Sequence, residues 1–221
     1  MSGIAGGISV SIGAVAYLSA DSKVVGAFLF SIGIFVIITF GMHLFTSRVC
    51  YTLDHGPSYL IDLLLIWSGN LAGSFIFGNL VRLTRISGIA LKAASICEIK
   101  AADGALSLFI LGAFCGIMIC IVSEVFRNCE YPLGKYLGIF IAIPVFILSG
   151  YEHCVANGFY FSLAAMWSPA VFFQLLIVTA GNSVGGLLIP LFQRFMKSEK
   201  RRNETADLPE GAEKEMVKVK V

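Results

Sequence analysis

Residues 149–157 read Ser-Gly-Tyr-Glu-His-Cys-Val-Ala-Asn and place a carboxylate beside an imidazole within one of the most apolar parts of the chain. Ionisable groups at membrane depth are costly to bury, and those found there usually face a pore or a cavity. Gly150 and Asn157 would interrupt a helix, and non-helical backbone at that depth persists only where protein or a lumen covers it. The segment predicts a solute pathway with a protonatable group, His153, inside it. A bare anion entering an apolar constriction loses its hydration at great cost, whereas the conjugate acid loses far less. Imidazole is the side chain able to hand over a proton near neutral pH. Glu152 cannot share the lumen with His153, because adjacent side chains diverge; its expected task is to cap backbone N–H groups freed by the break. The same divergence argues against a catalytic pair of His153 with Glu152 or Cys154.

These residues need a membrane-spanning frame, and the composition supplies one. The 221-residue chain is 57% hydrophobic and 14% charged, against about 25% charged in soluble domains. Its net charge of +2 comes with no basic face carrying interleaved aromatics, which removes nucleic acid as a partner. The six Cys form no CxxC pair and no Cys/His metal spacing, so they read as small apolar filler, with no metal or cofactor expected. No basic stretch or cleavage site near Met1 suggests a signal peptide. Apolar blocks cover residues 3–19, 24–41, 59–81, 104–123, 136–149 and 158–192, and a span needs about 20 apolar residues. Pro169 divides the last block into a half-span and a full span.

Residues 136–167 thus form one broken span, with a loop through His153. A second break follows residue 41, at Met42-His43-Leu44-Phe45-Thr46-Ser47-Arg48. Each break is followed by a span carrying Gly-Asn and small residues, at Gly69-Asn70 and Gly181-Asn182, and small residues let helices approach closely. The expected fold is all-α: six spans in two inverted halves, residues 1–81 and 104–193, with the solute site near the midplane. Residues 1–196 form the channel domain. Residues 197–221, polar and aromatic-free, are expected to be a disordered charged tail. An even span count puts both termini on one side, and the basic cluster from Arg194 to Arg202 marks that side as cytoplasmic.

At the breaks the chain resembles the formate–nitrite transporter family. Residues 149–157 are similar to that family's central loop, Ser-Gly-Phe-Glu-His-Ser-Ile-Ala-Asn, and Leu44-Phe45-Thr46-Ser47 resembles its Leu-Phe-Thr motif. Both Gly-Asn signatures fall where the family has them, and the resemblance covers about residues 5–193. It implies homopentamers of aquaporin-like protomers, each with a pore for small monovalent anions and their acids, in a prokaryotic cytoplasmic membrane. By motif, His153 matches the central pore histidine, Thr46 the hydroxyl facing it and Asn182 the last-span pore asparagine. Phe30, Ile34 and Phe45 match an apolar constriction on one side, and Phe146 one on the other. Lys100 matches a vestibule lysine, a fixed charge that would concentrate anions; the plainer reading is an interfacial lysine that snorkels. Thr46 either orients the imidazole or satisfies local backbone. Gly116 stands where many members carry asparagine, and His43 where an acidic or small residue is common.

Formate is the first candidate for the solute, on the Leu-Phe-Thr-Ser motif, with nitrite and hydrosulfide as alternatives. An aquaporin-like pore for neutral solutes would show Asn-Pro-Ala signatures and no protonatable midplane residue. An intramembrane enzyme would need a nucleophile–base pair or metal ligands on facing helices, and the sequence offers neither.

Overall fold

The computed structural model describes residues 1–206, and every described element is helical. Four helices are long and apolar enough to cross a membrane: α1 (Ser2–Ser19), α4 (Tyr59–Arg82), α6 (Ala105–Asn128) and α9 (Pro169–Ala206). Two shorter apolar helices, α2 (Lys23–Thr39) and α7 (Pro132–Leu148), are each followed by a loop and a short helix, α3 (Phe45–Val49) and α8 (Cys154–Leu163). These pairs are the two broken spans, which makes six membrane segments. A further helix, α5 (Ile89–Ala102), occupies the polar connection between the two halves, where the block pattern marks no span.

Local sequence explains where the helices start and stop. Ser22 caps α2 by accepting from Val25 N, Pro132 occupies the first turn of α7, and Ser168 accepts from Val171 N just before Pro169 opens α9. Both α2 and α7 end in a left-handed glycine, Gly41 with φ of 64° and Gly150 with φ of 72°. In each case the next amide bonds back to the helix, Met42 N to Ile37 O and Tyr151 N to Phe146 O. This is a Schellman ending, and only glycine adopts its φ without strain. The chain is thereby turned back towards the midplane at the same point in both halves.

The halves pack alike and then exchange limbs. In the first half α1 lies against α4 and α2, and in the second α6 lies against α9 and α7. Backbones touch at these contacts: a Cβ on Gly7 would overlap the Asn70 carbonyl oxygen, and one on Gly185 the Ala113 carbonyl oxygen. The short limbs cross over, α8 against α4 and α1, and α3 against α6 and α9. Large apolar side chains such as Phe28, Leu64 and Phe173 remain on the outer faces, as acyl chains or neighbouring copies require.

Three expectations change. The loop of the second break is shorter than expected, because α8 begins at Cys154 and takes in Asn157 and Gly158. The last helix does not stop at residue 192 but runs through Pro190 to Ala206. The tail expected from residue 197 is therefore helical at its start, and residues 207–221 lie outside the described residues.

Candidate functional site

Each break is pinned from behind by the asparagine of the following Gly-Asn span. Asn70 Oδ1 accepts from Phe45 N at 2.8 Å, and its Nδ2 donates to His43 O at 2.9 Å and Gly3 O at 2.6 Å. In the second half, Asn182 Oδ1 accepts from Cys154 N at 2.9 Å, while its Nδ2 donates to Glu152 O at 2.7 Å and Gly112 O at 2.8 Å. Both residues are fully buried, and each side chain satisfies an N–H and a carbonyl that the break leaves without helical partners, and also ties them to a carbonyl of a neighbouring helix, Gly3 O in α1 or Gly112 O in α6. Asn182, expected in the pore, is instead a structural pin, since all its bonds go to backbone behind the loop. Gly116 packs against the same point: a Cβ there would overlap the Asn182 carbonyl oxygen, so no asparagine fits.

The pin puts His153 at the N-cap of α8, where its Nδ1 accepts from Ala156 N at 3.2 Å. A nitrogen that accepts carries no proton, so the neutral ring holds its proton on Nε2. That nitrogen lies 3.0 Å from Thr46 Oγ1 on α3. Nε2–H donates to the threonine oxygen, which leaves the hydroxyl's own proton for another acceptor. Of the two readings open for Thr46, the geometry supports orientation of the imidazole. His153 is 3% exposed and Thr46 fully buried, so the pair is a buried polar contact, a neck joining the limbs of the two halves.

Apolar rings flank the neck. Phe146 packs against the imidazole with centroids 6.1 Å apart, and Phe30 meets Phe146 edge-on at 5.8 Å. Phe30 and Phe146, expected on opposite sides of His153, are therefore in contact. Ile34 is buried in the core. Phe45 forms part of a lateral apolar groove with Val49, Leu63, Trp67 and Leu176, between α4 and α9. That placement follows from the helical turn of α3, which carries Thr46 to the neck and its neighbour Phe45 to another face.

Cavities approach the neck from two sides. One, of about 320 Å³, is lined by Tyr17, Lys23, Lys100, Phe146, Glu152 and His153. Here the expectation for Glu152 fails. It caps no backbone; both its oxygens lie 2.6 Å from Lys100 Nζ, and Oε2 also accepts from Asn157 Nδ2 at 2.7 Å. Lys100 is accordingly not a free cation at the mouth, because its charge is spent on Glu152 and its side chain is 12% exposed. Sequence reasoning misses this pair, because its members stand on α5 and in the second break and no local pattern joins them.

The opposite cavity, of about 590 Å³, includes Ile37, Met42, Ser47, Arg48, Arg127 and Lys135. Neither His153 nor Thr46 lines this second cavity, but Ser47 and Arg48, which follow Thr46 on α3, do. Helices α2 and α7 run in opposite senses between them, from Lys23 to Ile37 and from Lys135 to Phe146. Among the described residues no group of three or more His, Cys, Asp or Glu could hold a metal ion.

Two inverted halves, two mouths and a polar neck between them define a multi-pass integral membrane protein built for transport. A family model described as "Formate/nitrite transporter" matches residues 1–195, and the chain belongs to that family. It is 24% identical to the formate channel FocA of Haemophilus influenzae, over 89% of this chain and 85% of that one. The nitrite transporter NirC of Salmonella typhimurium is 29% identical, over 88% and 79%. The fold is that of a solved pentameric formate channel with formate bound, with a TM-score of 0.74 at 22% identity, covering 90% of this chain and 95% of that one.

Proposed function

We propose that this protein is a channel for small monovalent anions and their conjugate acids, with formate the first candidate and nitrite or hydrosulfide the alternatives. The observation that carries the proposal is the His153–Thr46 pair, 3.0 Å apart and closed in by Phe146. Small, singly charged and weakly basic cargo suits such a neck: a single proton makes it neutral, and neutral acids cross apolar constrictions at far lower cost.

In this reading the neck works through His153 and Thr46. The Ala156 N–H on Nδ1 disfavours a second ring proton in the empty channel, since two donors would then face each other. An anion arriving at the Nε2 side favours the charged ring. The ring then takes up its second proton at Nδ1 as the anion arrives, and its Nε2–H passes from Thr46 to the anion. Loss of the remaining Nδ1 proton to water, with return of a proton to Nε2, resets the cap. Glu152 and Lys100 hold the entrance wall in place, and Asn182 and Asn70 hold the loops.

By analogy with the solved pentameric relative, we also propose a homopentamer with one pore per copy, its outer apolar faces shared between lipid and neighbours. In a prokaryote its place is the cytoplasmic membrane. Uptake into liposomes carrying the purified protein tests the function: formate and nitrite should enter and chloride should not. Equal entry of chloride would contradict it, because chloride, the anion of a strong acid, gains no neutral form near neutral pH.

A further inference from the structure

The mouth opposite Lys100 carries cations that take no part in the neck. Arg48, Arg127 and Lys135 all line its cavity of about 590 Å³, together with the hydroxyl residues Ser47, Tyr51 and Ser123, and no carboxylate shares that wall. The ion pairs among the described residues are Lys100–Glu152 and Arg194–Asp54, so none of the three has an anionic partner. Each of two is steadied by an aromatic ring: Arg127 lies 4.9 Å over Tyr51, and Lys135 lies 5.5 Å over Phe126. Arg127 and Tyr51 also line a neighbouring cavity that holds Glu124 and Asp54, where Glu124 accepts from Asn128 Nδ2 and Asp54 pairs with Arg194.

We propose that this mouth binds soluble di- or polyvalent oxyanions of the phosphate class, which plug the channel from that side. Three cations converging on one cavity exceed what a singly charged cargo needs. They match an anion with several charged oxygens, to which arginine donates in pairs and hydroxyls add further bonds. Such an anion would have to gain two or more protons to become neutral, so the neck that admits a monovalent acid rejects it. It stops in the mouth and bars the monovalent cargo behind it. Arg48 lies two residues from Thr46 on the same short helix, so occupancy also bears on the neck.

The inference rests in part on the proposed transport function, and the test separates the two. Binding of inorganic pyrophosphate to the purified full-length protein in detergent is measured by calorimetry, which requires no transport. The wild type should bind, and Arg48→Gln with Arg127→Gln and Lys135→Gln should weaken binding at least about tenfold. Formate uptake into phosphatidylcholine liposomes should slow when pyrophosphate faces this mouth, but not when sodium chloride of equal ionic strength replaces it. The triple variant should escape the block. Absence of binding, or binding equal in the triple variant, overturns the proposal. If phosphatidate in the bilayer slows the wild type while soluble pyrophosphate does not, the cations serve a lipid headgroup and the proposal fails.

Discussion

The two breaks are the same piece of backbone carrying different chemistry. In the first, Gly41 turns the chain, Asn70 holds His43 O and Phe45 N, and Leu44 stands at the N-cap of α3. In the second, Gly150 turns the chain, Asn182 holds Glu152 O and Cys154 N, and His153 stands at the N-cap of α8. Leu44 and His153 therefore occupy equivalent positions, as do His43 and Glu152. Leu44 offers α3 no side-chain cap, whereas His153 both caps α8 and reaches across to Thr46 of the other half. The scaffold is symmetric and the neck is not. One half supplies an imidazole and the other a hydroxyl, so the asymmetry is confined to a few side chains on a repeated frame.

The comparison breaks most severely at the pins. Asn182→Ala would leave Cys154 N and Glu152 O buried without partners, at about 1–3 kcal/mol for each group. We expect a loss of roughly 2–6 kcal/mol, read as a fall in the detergent unfolding midpoint and in yield, and Asn70→Ala should cost a similar amount. A much smaller effect at Asn70 would show that the halves are not held alike.

The next effect separates the two mouths. Lys100→Ala strips the partner from a buried carboxylate, which typically costs about 3–5 kcal/mol. It also leaves a negative charge beside the route of an anion. Formate flux should fall steeply at every ionic strength, and Lys100→Ala with Glu152→Gln should recover most of it. Loss confined to low salt would instead mean that Lys100 acts as an exposed attracting charge.

A smaller effect concerns the caps alone. His153→Leu makes the second break resemble the first and should cost about 1 kcal/mol of stability, whereas Leu44→Asn gives the first break a cap but replaces a fully buried apolar side chain, and should cost more than the cap returns. Thermal unfolding in detergent measures both.

Much of the frame was legible in the sequence. Six spans, two of them broken, followed from block lengths, from Pro169 and from the paired Gly-Asn signatures, each of which has a local physical cause. His153 stood out as an ionisable group in apolar surroundings and Thr46 only through the resemblance of its motif, and the structure sets the two 3.0 Å apart. What was not legible depended on distant partners or on rotation about a helix. Lys100 and Glu152 stand 52 positions apart, and only the packing of α5 on α8 brings them together. Asn182 was matched to a pore asparagine by the resemblance alone, and its partners are backbone atoms that no sequence pattern marks. Phe45 and Thr46 are neighbours in one motif, and one helical step sends them to different faces.

The claim that His153 is the working group of the neck is tested most directly by His153→Asn. Asparagine is a good N-cap, so α8 and the loop should survive, but it does not titrate. Formate uptake into proteoliposomes is followed by stopped flow from about pH 5 to 8, across the range in which imidazole titrates. In the wild type uptake should rise as pH falls, since protons feed the neck; in the variant the neutral-acid flux should be lost and the pH profile flat. A variant that transports at the wild-type rate with the wild-type pH profile would show that His153 only caps α8, and the account of the neck would be wrong.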